Sequence, residues 1–299
     1  MLTWELLGAA AGAGLASGRE IAAFFGRYGL WGFAGILLSA LTMAWLAEAR
    51  MPLRWTGRWP ERLWQLLNAL LLTAVGGAML AGAGELAAGF LPASRGRLAA
   101  MAATMVLSWL LARRTAAGLA WVSRMLLAGL TALLLATLLL PPTPSALPEA
   151  PVPLGLLRAV TYGGFNAALL QPLLAAQPPG KPCGPLRQAV ALLACLLGLG
   201  LAVLVRQGAA MTRPMPFLHL ASALGEGAQV LAVLCLYLAI LSTLTACLRS
   251  LGSLGMAGVC ASAALGFTGA VDAAYPVLGG GCVLMLAAMR AAAAAEEKM

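Results

Sequence analysis

The sequence contains few charged residues for its length, because Asp, Glu, Lys and Arg together make up 10% of its 299 residues. A soluble globular domain carries about 25% charged residues. Hydrophobic residues instead account for 62% of this chain, and they occur in repeated apolar runs. Helices of roughly 20 apolar residues match the hydrocarbon core of a bilayer, and the runs lack the alternation typical of a membrane β-barrel. The shortage of charge therefore predicts an all-α polytopic membrane protein.

The residue types that carry catalysis and bind metals are scarce as well. The chain has one histidine and contains no HExxH, P-loop or paired-carboxylate motif. Its six cysteines have no CxxC spacing, and five of them lie in apolar runs, as is typical of small buried side chains. We therefore expect neither an enzyme nor a resident cofactor.

Basic residues are in excess, with a net charge of +9, but they do not indicate a nucleic-acid partner. The arginines are scattered between apolar runs and form no basic stripe with interleaved aromatic residues. Basic residues that flank membrane helices set the orientation of the chain. With the N-terminus inside, eleven Lys and Arg residues lie on the inner side and seven on the outer side. We therefore predict that both termini are cytoplasmic.

Ten apolar runs follow one another along the chain and divide into two halves of five. A proline-rich loop, PPTPSALPEAPVP at 141–153, separates the first half (1–140) from the second (154–299) and is predicted to lie outside. The halves begin on opposite sides of the membrane, so a structural repeat between them would be inverted. The predicted spans are 3–27, 30–48, 63–91, 97–112, 115–140, 154–177, 185–205, 223–248, 251–267 and 271–290, with a short helix outside the membrane at 216–226.

The stretch GAGLASGRE at 12–20 interrupts the first run with three glycines and a serine, followed by two charges. A second interruption is predicted at TYGGFN (161–166), in the first helix of the second half. Hydrocarbon does not tolerate open backbone, so a break persists only where it faces protein, water or a ligand. Glycine-interrupted helices at corresponding positions of two halves indicate the binding site of a transporter. The structural alternative is that these glycines let helices pack closely.

The string GAGLASGREIAAFFGRYG, together with YGGFNAALLQPLL in the sixth run, resembles the YkvI-like bacterial membrane proteins. That family belongs to the amino acid–polyamine–organocation superfamily, whose fold is the LeuT-type five-plus-five inverted repeat with broken helices 1 and 6. The resemblance extends from the first helix to the ninth, and GAG-x-ASG-x-E-I-x-x-FF is its most specific part. It implies a location in the plasma (inner) membrane of a bacterium, and it implies the fold and the transport class more firmly than the substrate.

The resemblance implies a substrate site between the two broken helices. The backbone N–H groups of Ala13 and Gly14, near Ser17, would face a substrate carboxylate, because a helix N-terminus carries partial positive charge. The opposite side of the site would be lined by five consecutive residues of the sixth helix, Tyr162, Gly163, Gly164, Phe165 and Asn166.

The same fold often holds a sodium ion between its first and eighth helices. Two carbonyl groups of the first helix, one carbonyl of the eighth and two hydroxyls form the ligand set in that fold. The positions that match in this sequence are Gly8, Ala11, Ala239, Ser242 and Thr243. The alternative is a Ser-Thr pair that is bonded to the carbonyls of its own helix.

Two ionisable residues within the runs are candidates for coupling or gating, because burying a charge in the membrane is costly. Glu20 would cap the broken helix, accept a substrate amine or carry a proton, and we favour a structural or gating role over substrate binding. Arg124, in the fifth run, would either replace the charge of the ion or anchor the helix at the cytoplasmic surface. If Arg124 points inward, it argues against sodium.

The sequence thus predicts a secondary-active transporter that works by alternating access in the lipid bilayer. Its substrate is predicted to be a small neutral amino acid or a related amine, carried in symport with sodium or with a proton. The alternative is a membrane receptor or structural subunit with the same fold that binds a solute without transporting it.

Overall fold

The computed structural model describes residues 2–48, 58–90, 94–113, 119–143, 151–175, 183–252 and 255–296. Regular structure in these ranges is helical throughout, as expected where backbone groups must be satisfied within each segment. The α-helices are α1 (Leu2–Ala10), α2 (Ala13–Ser17), α3 (Arg19–Phe24), α4 (Trp31–Ala47), α5 (Arg58–Ala88), α6 (Ser94–Ala112), α7 (Leu119–Thr137), α8 (Val152–Ala175), α9 (Gly184–Arg206), α10 (Pro216–Leu224), α11 (Glu226–Leu251), α12 (Gly255–Ser262), α13 (Gly266–Gly269) and α14 (Tyr275–Glu296). Short 3₁₀-helices lie at Gly26–Tyr28, Gly208–Thr212 and Ala263–Leu265, and a π-helical turn lies at Ala270–Ala274.

Four helical stretches within the described ranges are long and apolar enough to cross a membrane: Trp59–Ala88, Gly184–Arg206, Glu226–Leu251 and Gly255–Ala292. This confirms the predictions of an all-α chain and of helices able to span a membrane. The total of ten spans and the inverted five-plus-five repeat stay predictions. Part of the predicted orientation and of the proline-rich loop depends on residues that lie outside the described ones. These are residues 49–57, 114–118, 144–150, 176–182 and 297–299.

The last of these stretches turns sharply at Gly266. Its φ angle of +72° is one that residues with a Cβ rarely adopt, so a glycine is required at this position. The turn separates α12 from α13 and α14, close to the predicted boundary between the ninth and tenth runs.

The first apolar run is broken twice, as the glycines of GAGLASGRE predict. The chain leaves the helix at Ala11 and Gly12 and again at Gly18, where φ is +81°. The Ser17 side chain stabilises the second break, because its Oγ donates to the Gly14 carbonyl at 2.9 Å and accepts from the Arg19 N–H at 3.2 Å. The ring of Phe217 from α10 packs directly against Gly18.

The predicted interruption at TYGGFN is wrong, because α8 is a continuous helix from Val152 to Ala175. The two glycines serve the close approach of neighbouring helices instead. A Cβ on Gly163 would lie 2.6 Å from the Ser39 carbonyl oxygen of α4, and one on Gly164 would lie 2.9 Å from the Gly279 carbonyl oxygen of α14. The structural alternative, close packing at small residues, therefore accounts for this pair.

The broken first segment lies at the centre of the bundle. Residues 10–26 are all buried, and the segment contacts α7, α8, α9 and α11. By contrast α4 exposes large apolar side chains, among them Trp31, Leu37 and Leu41, as expected of a helix that faces lipid. Open backbone in the first segment is thus surrounded by protein, which is the condition for a break at membrane depth.

Candidate functional site

The first break of the central segment faces a hydroxyl of α11. A Cβ on Gly12 would lie 3.2 Å from Oγ1 of Thr243, so the absence of a side chain at Gly12 makes room for this hydroxyl. Thr243 is buried, and its Oγ1 has no hydrogen-bond partner within the described part of the chain. An unpaired buried hydroxyl is unusual and calls for an explanation, such as a water or an ion.

The other residues of the predicted sodium set are only partly brought together. Ser242 Oγ donates to the Ala239 carbonyl at 3.0 Å, which is the alternative in which the hydroxyl bonds to its own helix. Ala239 and Ala11 are buried beside this region, whereas Gly8 lies within the regular helix α1. The contact between Gly12 and Thr243 is therefore the feature that points most directly to an ion, and the roles of Gly8, Ala11, Ala239 and Ser242 stay predictions.

The second feature of the site is the carboxyl group of Glu20. The residue is 4% exposed, and Oε2 accepts a hydrogen bond of 3.1 Å from the Tyr162 hydroxyl of α8. The carboxyl lies on the turn of α2, so close to Gly14 that a Cβ there would overlap it. The hydroxyl of Tyr275, at the start of α14, interacts electrostatically with Glu20 and has no hydrogen-bond partner among the described residues. Three elements thus converge on one carboxyl group.

Aromatic rings surround Tyr162, the hydrogen-bond partner of this carboxyl group. Phe24 and Phe25 lie 5.0 and 5.2 Å from the Tyr162 ring, measured between ring centroids. On the other side Phe165 stacks on Tyr275 at 4.6 Å. All five rings are nearly or fully buried. The hydrogen bond from Tyr162 therefore joins Glu20 to a cluster of buried rings, the aromatic cage (Phe24, Phe25, Tyr162, Phe165 and Tyr275), and Glu20 is itself shielded from bulk water.

The predicted substrate-lining residues separate into three groups. Tyr162 and Phe165 belong to the aromatic cage. Asn166 lies on the same helix, and its side-chain amide donates to the Tyr162 carbonyl at 3.1 Å. The Oδ1 atom of Asn166 is buried and has no hydrogen-bond partner among the described residues. Gly163 and Gly164 instead face α4 and α14. Ala13, Gly14 and Ser17 form the short helix α2 beside Glu20, and their substrate contacts stay predictions.

An ion pair that sequence reasoning missed lies at one end of the cage. Arg19 pairs with Asp272 of the π-helical turn, and Arg27 lies 3.7 Å from the same carboxylate. Asp272 was detectable as a lone carboxylate within an apolar run, but its partner is 253 residues away in the sequence. Because Arg19 is engaged by Asp272, the charge next to Glu20 in the sequence is not available to it.

Arg124 contacts the opposite end of the first segment. Its guanidinium group lies 5.6 Å from the centroid of the Trp4 ring, and its buried Nε has no hydrogen-bond partner among the described residues. Trp4 precedes Gly12 by eight residues, which corresponds to about 12 Å along a helix. Arg124 and Trp4 are both half-buried, and they lie away from the Gly12–Thr243 contact, so the predicted coupling or gating role of Arg124 stays a prediction.

Within the described residues no group of three or more His, Cys, Asp or Glu side chains is placed to hold a metal ion. An ion at Gly12 and Thr243 would accordingly be held by carbonyl and hydroxyl oxygens, which suits a monovalent cation better than a transition metal. No protein-family model matches the chain, and no curated protein matches it.

Proposed function

We propose that the protein is a secondary-active transporter of small amine-bearing solutes, which include small neutral amino acids, in the inner membrane of a bacterium. The proposal includes the LeuT-type fold that the resemblance to YkvI-like proteins implies, and alternating access around the central broken segment. Sodium is the proposed coupling ion, and a proton carried by Glu20 is the alternative. The non-transporting receptor is the rival in a different class.

The observation that carries the proposal is the position of the break. Helix interruptions cost hydrogen bonds, and at membrane depth they persist where they are buried in protein or line a site for a solute or an ion. Here the break lies at the centre of the bundle, with the unpaired hydroxyl of Thr243 on one side and the buried carboxyl of Glu20 on the other. A purely structural break would need neither polar group.

Uptake into proteoliposomes tests the transport proposal. We expect a labelled small amine or neutral amino acid to accumulate above its external concentration when an inward sodium gradient is imposed. Collapse of the gradient with an ionophore should release the solute, because accumulation depends on the coupled ion. Saturable binding to the purified protein without any flux would establish the receptor instead, and a proton gradient that alone drives uptake would establish proton coupling.

Thr243→Val tests the proposed ion site. The change keeps the shape of the side chain and removes the oxygen that faces Gly12, so we expect the sodium concentration for half-maximal stimulation to rise about tenfold or more, equivalent to at least about 1.4 kcal/mol. Thr131→Val is the matched control, because the Thr131 hydroxyl already donates to its own helix at the Leu127 carbonyl, 2.7 Å away. An unchanged sodium dependence in Thr243→Val would contradict the site.

A further inference from the structure

The carboxyl group of Glu20 has no basic partner in the described part of the chain, although it is surrounded by protein. The described ion pairs involve other carboxylates, and the neighbouring Arg19 is bound to Asp272. A buried carboxylate is costly unless a cation or several hydrogen-bond donors compensate it. The single hydrogen bond from Tyr162 compensates only part of this cost.

A second observation, the environment of the Tyr275 hydroxyl, favours a cation at the same place. The Tyr275 hydroxyl belongs to a fully buried residue, interacts electrostatically with Glu20 and has no hydrogen-bond partner among the described residues. A tyrosine oxygen accepts hydrogen bonds as well as donating them. An ammonium group has several N–H donors and would satisfy Glu20 and Tyr275 together.

The surroundings favour an organic ammonium over a metal cation. Aromatic faces attract alkylammonium groups through cation–π interactions, which strengthen when water is excluded. The rings of Phe24, Tyr162, Phe165 and Tyr275 pack against one another, and Tyr162 is hydrogen-bonded to Glu20, so an alkylammonium group that binds this carboxyl would lie beside aromatic rings. A hard, strongly hydrated cation would instead require a shell of oxygen ligands, which this aromatic cage does not supply.

The position of Glu20 also disfavours a carboxylate on the solute. The carboxyl group lies against Gly14, on the turn of α2 where the predicted substrate carboxylate would bind. Two carboxylates in one buried site repel each other, because the low local dielectric strengthens the interaction. A solute that carries an amine without a carboxylate avoids this repulsion.

We propose that Glu20, Tyr162 and Tyr275 form a cation subsite that selects a protonated organic amine lacking a free carboxylate. Glu20 supplies the counter-charge, Tyr162 fixes the orientation of its carboxyl group, and Tyr275 accepts a hydrogen bond from the ammonium. This inference rests on the proposed function and narrows its substrate class from amino acids and amines to amines.

Matched ligands that differ only in their charged groups test the selection. Leucine carries both groups, 3-methylbutylamine lacks the carboxylate, and 4-methylpentanoate lacks the amine. The series alanine, ethylamine and propionate, and the series phenylalanine, phenethylamine and 3-phenylpropionate, vary the size of the apolar body. Thermal stability of the purified full chain reports binding, because a ligand that binds the native state raises its apparent stability. In at least one series we expect the amine to bind tenfold or more tightly than the amino acid, with no binding of the acid.

Variants identify the groups responsible. Glu20→Gln keeps the size of the side chain and should weaken amine binding at least tenfold, and Tyr275→Phe should weaken it about threefold or more. Glu85→Gln is the control for a carboxylate, because Glu85 pairs with Arg97 away from the cage. Tyr237→Phe is the control for a tyrosine hydroxyl, because that hydroxyl lies 3.4 Å from Thr104. Both control variants should bind the amine like the unaltered protein.

The outcomes separate this inference from the transport proposal. Tighter binding of an amino acid than of its amine, undiminished amine binding in Glu20→Gln, or no binding in any series would each overturn the subsite. If amino acids are nevertheless accumulated in proteoliposomes, the transport proposal stands without it. Amine binding that depends on Glu20 but gives no flux would support the subsite and overturn the transporter.

Discussion

Alanine in place of Gly163 or Gly164 is expected to destabilise the protein by roughly 1–3 kcal/mol through overpacking. In a chain of this size such a loss corresponds to a fall in melting temperature of about 2–10 °C. The cause is the backbone on either side of α8: the new Cβ would lie 2.6 Å from the Ser39 carbonyl oxygen in one variant and 2.9 Å from the Gly279 carbonyl oxygen in the other. Carbonyl oxygens within neighbouring helices cannot move aside as a flexible side chain does. The measurement is thermal unfolding of the purified protein.

Gly198→Ala in α9 is the matched control for this prediction. A Cβ at Gly198 would meet nothing within 4 Å, so the melting temperature should stay the same or rise slightly. Normal stability of Gly163→Ala and Gly164→Ala, combined with a loss of solute binding, would show that these glycines line the site and that their packing role is wrong.

The two interruptions predicted from glycine show what a local pattern can and cannot determine. In the first segment three glycines lie within seven residues, and one of them adopts a φ of +81° that favours glycine at that position. In α8 the two adjacent glycines retain helical geometry, and their small size is used by α4 and α14. A glycine-rich stretch is compatible both with a broken helix and with a continuous helix that packs closely against its neighbours. The choice depends on helices that are distant in the sequence, so no local pattern could have decided it.

For the candidate site, some of the residues could be predicted from the sequence, but contacts between distant elements could not. The sequence identifies Glu20 as a charge and Tyr162 as an aromatic residue, each next to a glycine-rich stretch, and it identifies Thr243 as a hydroxyl within an apolar run. The contacts of Tyr275 and Asp272 were not, because these residues reach the first segment through the turn at Gly266 and the π-helical turn that follows. A change of helix register over a few residues decides which side chains of α14 face inward.

Asp272→Asn is expected to open the end of the cage at which Arg19 and Asp272 join α3 to the π-helical turn. The Arg19 side chain is 10% exposed, so loss of its counter-charge leaves a nearly buried cation and costs about 2 kcal/mol. Arg27 cannot substitute, because it is itself a cation that interacts with the same carboxylate. We expect a lower melting temperature and faster reaction of a cysteine at position 17 (Ser17→Cys) with a bulky polar maleimide. The unaltered protein gives the background from the native cysteines.

Exchange of the two charged residues tests whether the effect comes from the ion pair itself or from mutation at these positions in general. Arg19→Asp combined with Asp272→Arg should recover part of the lost stability and slow the labelling at position 17 again, whereas each single change should not. Glu48→Gln is the control, because it removes a pair whose Arg187 side chain is 70% exposed, and surface pairs contribute little. If Asp272→Asn labels no faster than Glu48→Gln, the Arg19–Asp272 pair does not close the cage, and Glu20 must be shielded by the aromatic rings alone.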